Sequence, residues 1–164
     1  MRRPILLAAI LSGLTATARA QTKISARLSC AKPSVAETAG DGMQSVLFTR
    51  ADCNWSPSYV IDGSKPTHTV DAGIGDVAGS TARIHGFSTN VMDNGDSTIV
   101  RYEGTIQLKK ERKGVDRGTW QFVRGTGKFK GITGKGTFTG AEAADGTDFV
   151  DVTGYYTLAK TSAR

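Results

Sequence analysis

The chain has 164 residues, with 21 Lys and Arg against 15 Asp and Glu, 20 Gly, 2 Cys and 2 His, a length that holds one domain and hardly two. The net charge of +6 overstates its basicity, because Arg2, Arg3 and Arg19 fall in a leader. The remaining 18 basic and 15 acidic residues are interspersed, which excludes the concentrated basic face of a nucleic-acid binder.

The leader occupies residues 1–20. Met1-Arg2-Arg3 is a basic start, Ile5 to Leu14 is an apolar run of ten, and Ala18-Arg19-Ala20 is the small-x-small pattern after which signal peptidase cuts. Cleavage after Ala20 is expected, leaving one domain over residues 21–164. Ten apolar residues are too few to span a hydrocarbon core about 30 Å thick, and no later run approaches the roughly 20 that a helix needs. No membrane anchor is expected, and Gln21 offers no thiol for lipid attachment. The predicted protein is soluble and either secreted or periplasmic.

After residue 20 the chain contains 7 Ile, 4 Leu, 11 Val and 6 Phe, with 19 Gly. Valine and glycine in this proportion favour strands and tight turns over helices. Asp41-Gly42 predicts an N-terminal hairpin in which Val35 and its neighbours return against Val46-Leu47-Phe48. A two-residue turn there makes facing residue numbers sum to 83, which sets Cys30 opposite Cys53. A bulge at Pro33 would shift this register by one, so the pairing is expected and its exact register is left open. Two cysteines in a small exported chain read as a disulfide.

The stretch from Ser56 to Gly79 has the weakest pattern. Beyond it, Ala82 to Met92 is expected to fold back on Ser97 to Lys109 through Asn94-Gly95, a two-residue type I′ turn. In TIVRYEGTIQLK, residues 98–109, Val100, Tyr102, Ile106 and Leu108 share one face. Ile99, Arg101, Glu103, Thr105, Gln107 and Lys109 share the other, nearly all polar, the period of a strand with one wet side. A basic turn at 109–114 leads to GTWQFV at 118–123, then the glycine-dense segment 124–140. A turn at Ala144-Asp145-Gly146 and a last strand from Thr147 to Lys160 follow. Seven or eight short antiparallel strands without a helical period predict an all-β chain that closes into a single barrel, which leaves no exposed edge.

The glycines of 124–140 match neither a phosphate loop nor a dinucleotide fingerprint, because the spacing fails in both. They read as the glycines of bent strands. His68 and His85 are 17 apart with no ligand-spaced partner, so no metal is expected. There is no nucleophile elbow, and catalytic residues stay unknown. Asp93 and Asp96 read as turn residues. Asp145, Asp148 and Asp151 gather near the last strand without calcium-loop spacing.

GTWQFVRGTGKFKGITGKGTF, from Gly118 to Phe138, resembles the C-terminal half of the allene oxide cyclase barrel-like proteins, relatives of dirigent proteins in the calycin-like group. Cys30-Ala31-Lys32-Pro33, Cys53-Asn54-Trp55-Ser56-Pro57 and Asn94-Gly95-Asp96 are similar to small exported bacterial proteins of that type with no assigned role. The resemblance implies an eight-stranded antiparallel barrel of about the length of the mature chain, working without a cofactor. It carries over no catalytic residue. The reading that follows is a barrel whose lumen binds a small apolar or amphipathic molecule against Tyr102, Trp120, Phe122 and Phe138. A cofactor-free isomerase or cyclase is the alternative, and convergent titratable groups inside the barrel would be its mark. Glu103, Arg101 and His85 are placed outside by the strand period. A third reading is an interaction module with a filled barrel, contacting partners through 56–79 and the basic turn. The oligomeric state is not readable.

Overall fold

The structure, a computed structural model, describes residues 20–40, 44–108, 114–143 and 145–159. The expected leader, the Asp41-Gly42 turn, the basic residues 109–113 and Ala144 lie outside them. Nine strands follow one another: β1 (Thr22–Cys30), β2 (Val35–Gly40), β3 (Gln44–Trp55), β4 (Pro66–Ala78), β5 (Thr81–Met92), β6 (Ser97–Gln107), β7 (Val115–Gly125), β8 (Thr133–Glu142) and β9 (Asp148–Thr157). From β3 to β9 each strand pairs antiparallel with the next, β9 pairs with β1, and β1 pairs with β3. Eight strands therefore close a barrel, and β2 continues the β1 edge along β3.

The joint between β1 and β2 corrects the expected register. Cys30 faces Cys53, and the two form a disulfide with Cα atoms 4.0 Å apart. Beyond Pro33, however, Val35 faces Arg50 and Gly40 faces Ser45. Facing numbers thus sum to 83 at the cysteines and to 85 in β2, a shift of two and not one. Proline has no N–H to give the ladder, so the chain steps past it. Ala31 N–H donates to Asp52 O and Ser34 N–H to Arg50 O.

The β5–β6 turn also differs from expectation. Met92 N–H donates to Asp96 O at 2.8 Å and Gly95 N–H to Met92 O at 2.9 Å, with φ of +82° at Gly95. Asn94 is not among the described residues of positive φ, so this is the three-residue form, a type I turn completed by a left-handed glycine. Asn94 Oδ1 accepts from Asp96 N–H instead, the turn chemistry expected of these side chains.

β4 is a 13-residue strand where no clear pattern was expected. Its inward positions are Thr69, Asp71, Gly73, Gly75 and Val77, so the apolar alternation that reveals a strand is missing from it. The glycine-dense segment 124–140 is two strands and the turn that joins them. It holds the end of β7, a single 3₁₀ turn at Gly127–Phe129, and β8.

One end of the barrel is sealed by the segments 56–65 and 126–132. They bury Tyr59, Ile61, Phe129 and Ile132 with Met92 and Tyr156 in the main core. Tyr59 stacks on Trp55 with ring centroids 3.9 Å apart. Trp55 Nε1 donates to Asn90 Oδ1, which also receives Thr69 Oγ1–H, while Asn90 Nδ2 donates to Thr98 Oγ1. This satisfied network lets buried polar groups sit in the floor without loss.

Candidate functional site

Above that floor the lumen is not filled. A cavity of about 330 Å³ runs between the strands, with a mainly apolar lining that includes Leu28, Leu47, Ile84, Val100, Ile106 and Val150. An apolar wall with a few placed polar groups is the usual make-up of a small-molecule site. A wider and more open hollow of about 790 Å³ lies on the outside of the barrel, around Arg101, Gln121, Lys135 and Tyr155. The lumen is the better candidate, because enclosure and an apolar wall are what remove a ligand from water.

Tyr102, Trp120 and Phe138 border the cavity. Tyr102 and Phe138 meet edge to face at 6.2 Å. Trp120 is anchored by donating from Nε1 to Thr153 O at 3.1 Å. Phe122 is not among the bordering residues. It is buried in the core cluster, edge-on to Trp120 at 5.4 Å. Glu103, Arg101 and His85 are exposed on the outer face, as the strand period places them.

Four carboxyl groups also line the lumen: Asp71 on β4, Asp116 on β7, Glu142 on β8 and Asp148 on β9. Asp71 lies deepest in the lattice of polar contacts, with Oδ1 accepting from Tyr102 Oη–H at 2.8 Å and Oδ2 accepting from Ser88 Oγ–H. The tyrosine ring reaches it because Gly73 and Gly86 leave room. A Cβ on Gly86 would collide with the Tyr102 phenol and with the Ala72 carbonyl. Burial pushes the Asp71 carboxyl above its ordinary value, against the pull of these two hydrogen bonds. Tyr102 is also pushed up, first by burial and then by the charge of Asp71.

The other acids stand toward the far end. Asp116 faces Ile106 and Gly140 across the ladders, and Asp148 faces Glu142 and Cys30. Burial, followed by the charge of Glu142, raises Asp116 to about 6. Burial, followed by the charge of Asp116, raises Asp148 to about 7. Oδ1 of Asp148 is buried without a hydrogen-bond partner.

These lumen acids were only partly visible in the sequence. Asp145, Asp148 and Asp151 form no cluster. Asp145 accepts from Thr147 within its turn, Asp151 points outward into a two-pronged ion pair with Arg27, and Asp148 alone faces the lumen. Parity could have found two of the missed groups, since Asp148 shares a face with Val150 and Val152, and Asp116 with Trp120 and Phe122. Asp71 shares its face with threonine and glycines, so parity carries no signal there.

The chain matches no protein-family model and no curated protein. Among solved structures it is similar to the pterocarpan synthase dirigent protein GePTS1, at 12% identity and a TM-score of 0.52 over 96% of this chain and 98% of that one. It is also similar to the pterocarpan synthase dirigent protein PsPTS1, at 12% identity and a TM-score of 0.50 over 87% and 97%. At this identity the likeness shows the fold. Both neighbours are dirigent proteins by name. No sequence family supports the narrower link to allene oxide cyclases.

Proposed function

We propose that this is an exported barrel protein that takes up a small, largely apolar molecule in its lumen. The observation that supports the reading is the 330 Å³ cavity, floored by Tyr59 and walled by aliphatic and aromatic side chains. A filled barrel would have no such space, which speaks against an interaction module working through its surface alone. The disulfide agrees with export, since such bonds persist in oxidising compartments. Native mass spectrometry of protein taken from its own compartment tests the reading. An added mass that survives gentle transfer and disappears on denaturation is expected. Leu47→Trp, which narrows the cavity without touching its acid groups, should lose that mass while still melting cooperatively. Binding that is unchanged by Leu47→Trp would move the site out of the lumen.

A second reading, a cofactor-free isomerase or cyclase, is favoured by one observation. The titratable groups Asp71 and Tyr102 converge inside the barrel and share a hydrogen bond. Such a pair can take and return a proton on a bound molecule, and a water-poor site strengthens its electrostatics. The same architecture is named a synthase in both dirigent neighbours. With the captured ligand in hand, deuterium uptake from heavy water tests the idea. Uptake by the native protein that is lost in Asp71→Asn supports catalysis. No uptake leaves the protein a binder.

A further inference from the structure

The lining of the lumen is one-sided in charge. Asp71, Asp116, Glu142 and Asp148 border it, and no Lys, Arg or His does so among the described residues. None of the ion pairs of the described residues involves these four acids. β1, β3 and β5 contribute no charged side chain to the wall, so nothing on them offsets the carboxyls of β4, β7, β8 and β9. Asp71 is already satisfied by Ser88 and Tyr102. Asp116 is in none of these ion pairs, and Asp148, which receives the Phe149 backbone N–H, keeps one buried oxygen with no partner.

We propose that the lumen selects apolar molecules bearing an amine, held as the ammonium by Asp116 and Asp148, and rejects fatty acids and other anions. This rests on the lumen being the binding site. The physical reason is that a buried carboxylate is stable when paired and unstable when alone. An apolar body fills the aliphatic wall, while its ammonium supplies the missing donor and counter-charge together. An anion would add like charge where burial and the charge of Asp116 already oppose ionisation of Asp148, and burial and the charge of Glu142 that of Asp116. The acids are not gathered into a three-ligand group fit for a metal ion among the described residues, which points to an organic cation.

The experiment uses three probes with the same compact hydrocarbon cage: adamantylamine, adamantanol and adamantanecarboxylate. Affinities are measured by calorimetry on the disulfide-bonded protein at pH 8. The amine is expected to bind at least roughly tenfold tighter than the alcohol, the yield of one charge-assisted contact, with the carboxylate weakest. Asp116→Asn/Asp148→Asn, shown to melt cooperatively, should bring the amine down to the affinity of the alcohol for the unaltered protein. Amine affinity should also fall from pH 8 to pH 5, because protonating Asp148 and Asp116 removes the counter-charge while the amine stays protonated. Asp71, Tyr59, Tyr102 and Glu142 are the other titratable groups facing the lumen, and they remain in the double variant. Equal binding of amine and alcohol would overturn the charge selection and leave the lumen reading standing. Preference for the carboxylate would overturn it outright. Failure of all three probes, together with no retained mass in native spectra, would overturn both readings.

Discussion

Asp148→Asn is the substitution that tests the lumen electrostatics most directly. The folded chain holds the Asp148 proton up to about pH 7, against an ordinary value of 3.8, and burial is the main cause. The folded state therefore binds that proton more tightly than the unfolded chain does. Its contribution to stability is fully present below about pH 4 and is lost as pH rises through 7. About three pH units at 1.36 kcal/mol each would set a ceiling of roughly 4 kcal/mol. The carboxyl keeps partial contact with solvent, so screening reduces this to about 2 kcal/mol. Asparagine has the shape of the protonated acid and cannot ionise. Urea unfolding at pH 5, 6, 7 and 8 should show the native protein losing about 2 kcal/mol or more across that range. The asparagine variant should lose distinctly less and be the more stable of the two at pH 8. Some slope should persist in the variant, because Asp116 and Asp71 are raised in the same direction. The window stays above the range where Asp145 and Asp151, held below their ordinary values by Thr147 and Arg27, act with the opposite sign. Coincident curves for the two proteins at every pH would refute the assignment of Asp148 to a buried wall.

Three other expectations are measurable on the same material. Cys30→Ser/Cys53→Ser opens a link spanning 23 residues and should lower stability by about 3 kcal/mol, read from urea midpoints; a loss below half a kilocalorie would show that the β1–β3 edge holds without it. Tyr102→Phe removes one of the two donors to Asp71 and should reduce stability at pH 8 by about 1–3 kcal/mol, while NMR titration shows the Asp71 carboxyl moving further up. Trp120→Ala should cost about 3–5 kcal/mol as a large core truncation and release any bound molecule. If native spectra keep the added mass while the melting temperature falls, Trp120 is core and no part of the binding surface.

The elements that were readable along the chain are those whose two faces differ. β6 is the clearest. Val100, Tyr102 and Ile106 alternate with exposed or polar residues, and that contrast alone states both strand and facing. Trp120 and Phe138 reach the cavity on strands of the same kind, and Phe122 shows the limit of the method. Parity says that a side chain is inside, and only packing says whether it meets empty space or another ring. β4 escaped notice for the converse reason. Its inner face carries Thr69, Asp71, Gly73 and Gly75, chosen for the ring of Tyr102 and for the lumen, so no apolar stripe marks it.

Local chemistry alone determined that this chain is all strand and that Cys30 and Cys53 meet. Composition, period two and turn residues act between near neighbours, so they are written in consecutive letters. Tertiary structure decided the two-residue step at Pro33, the unfilled lumen, and the gathering of Asp71, Asp116, Glu142 and Asp148. Those acids lie up to 77 positions apart on four strands, each with its own unremarkable context. Closing the barrel turns them toward one space and takes that space from water, and neither effect exists until the last strand has paired with the first.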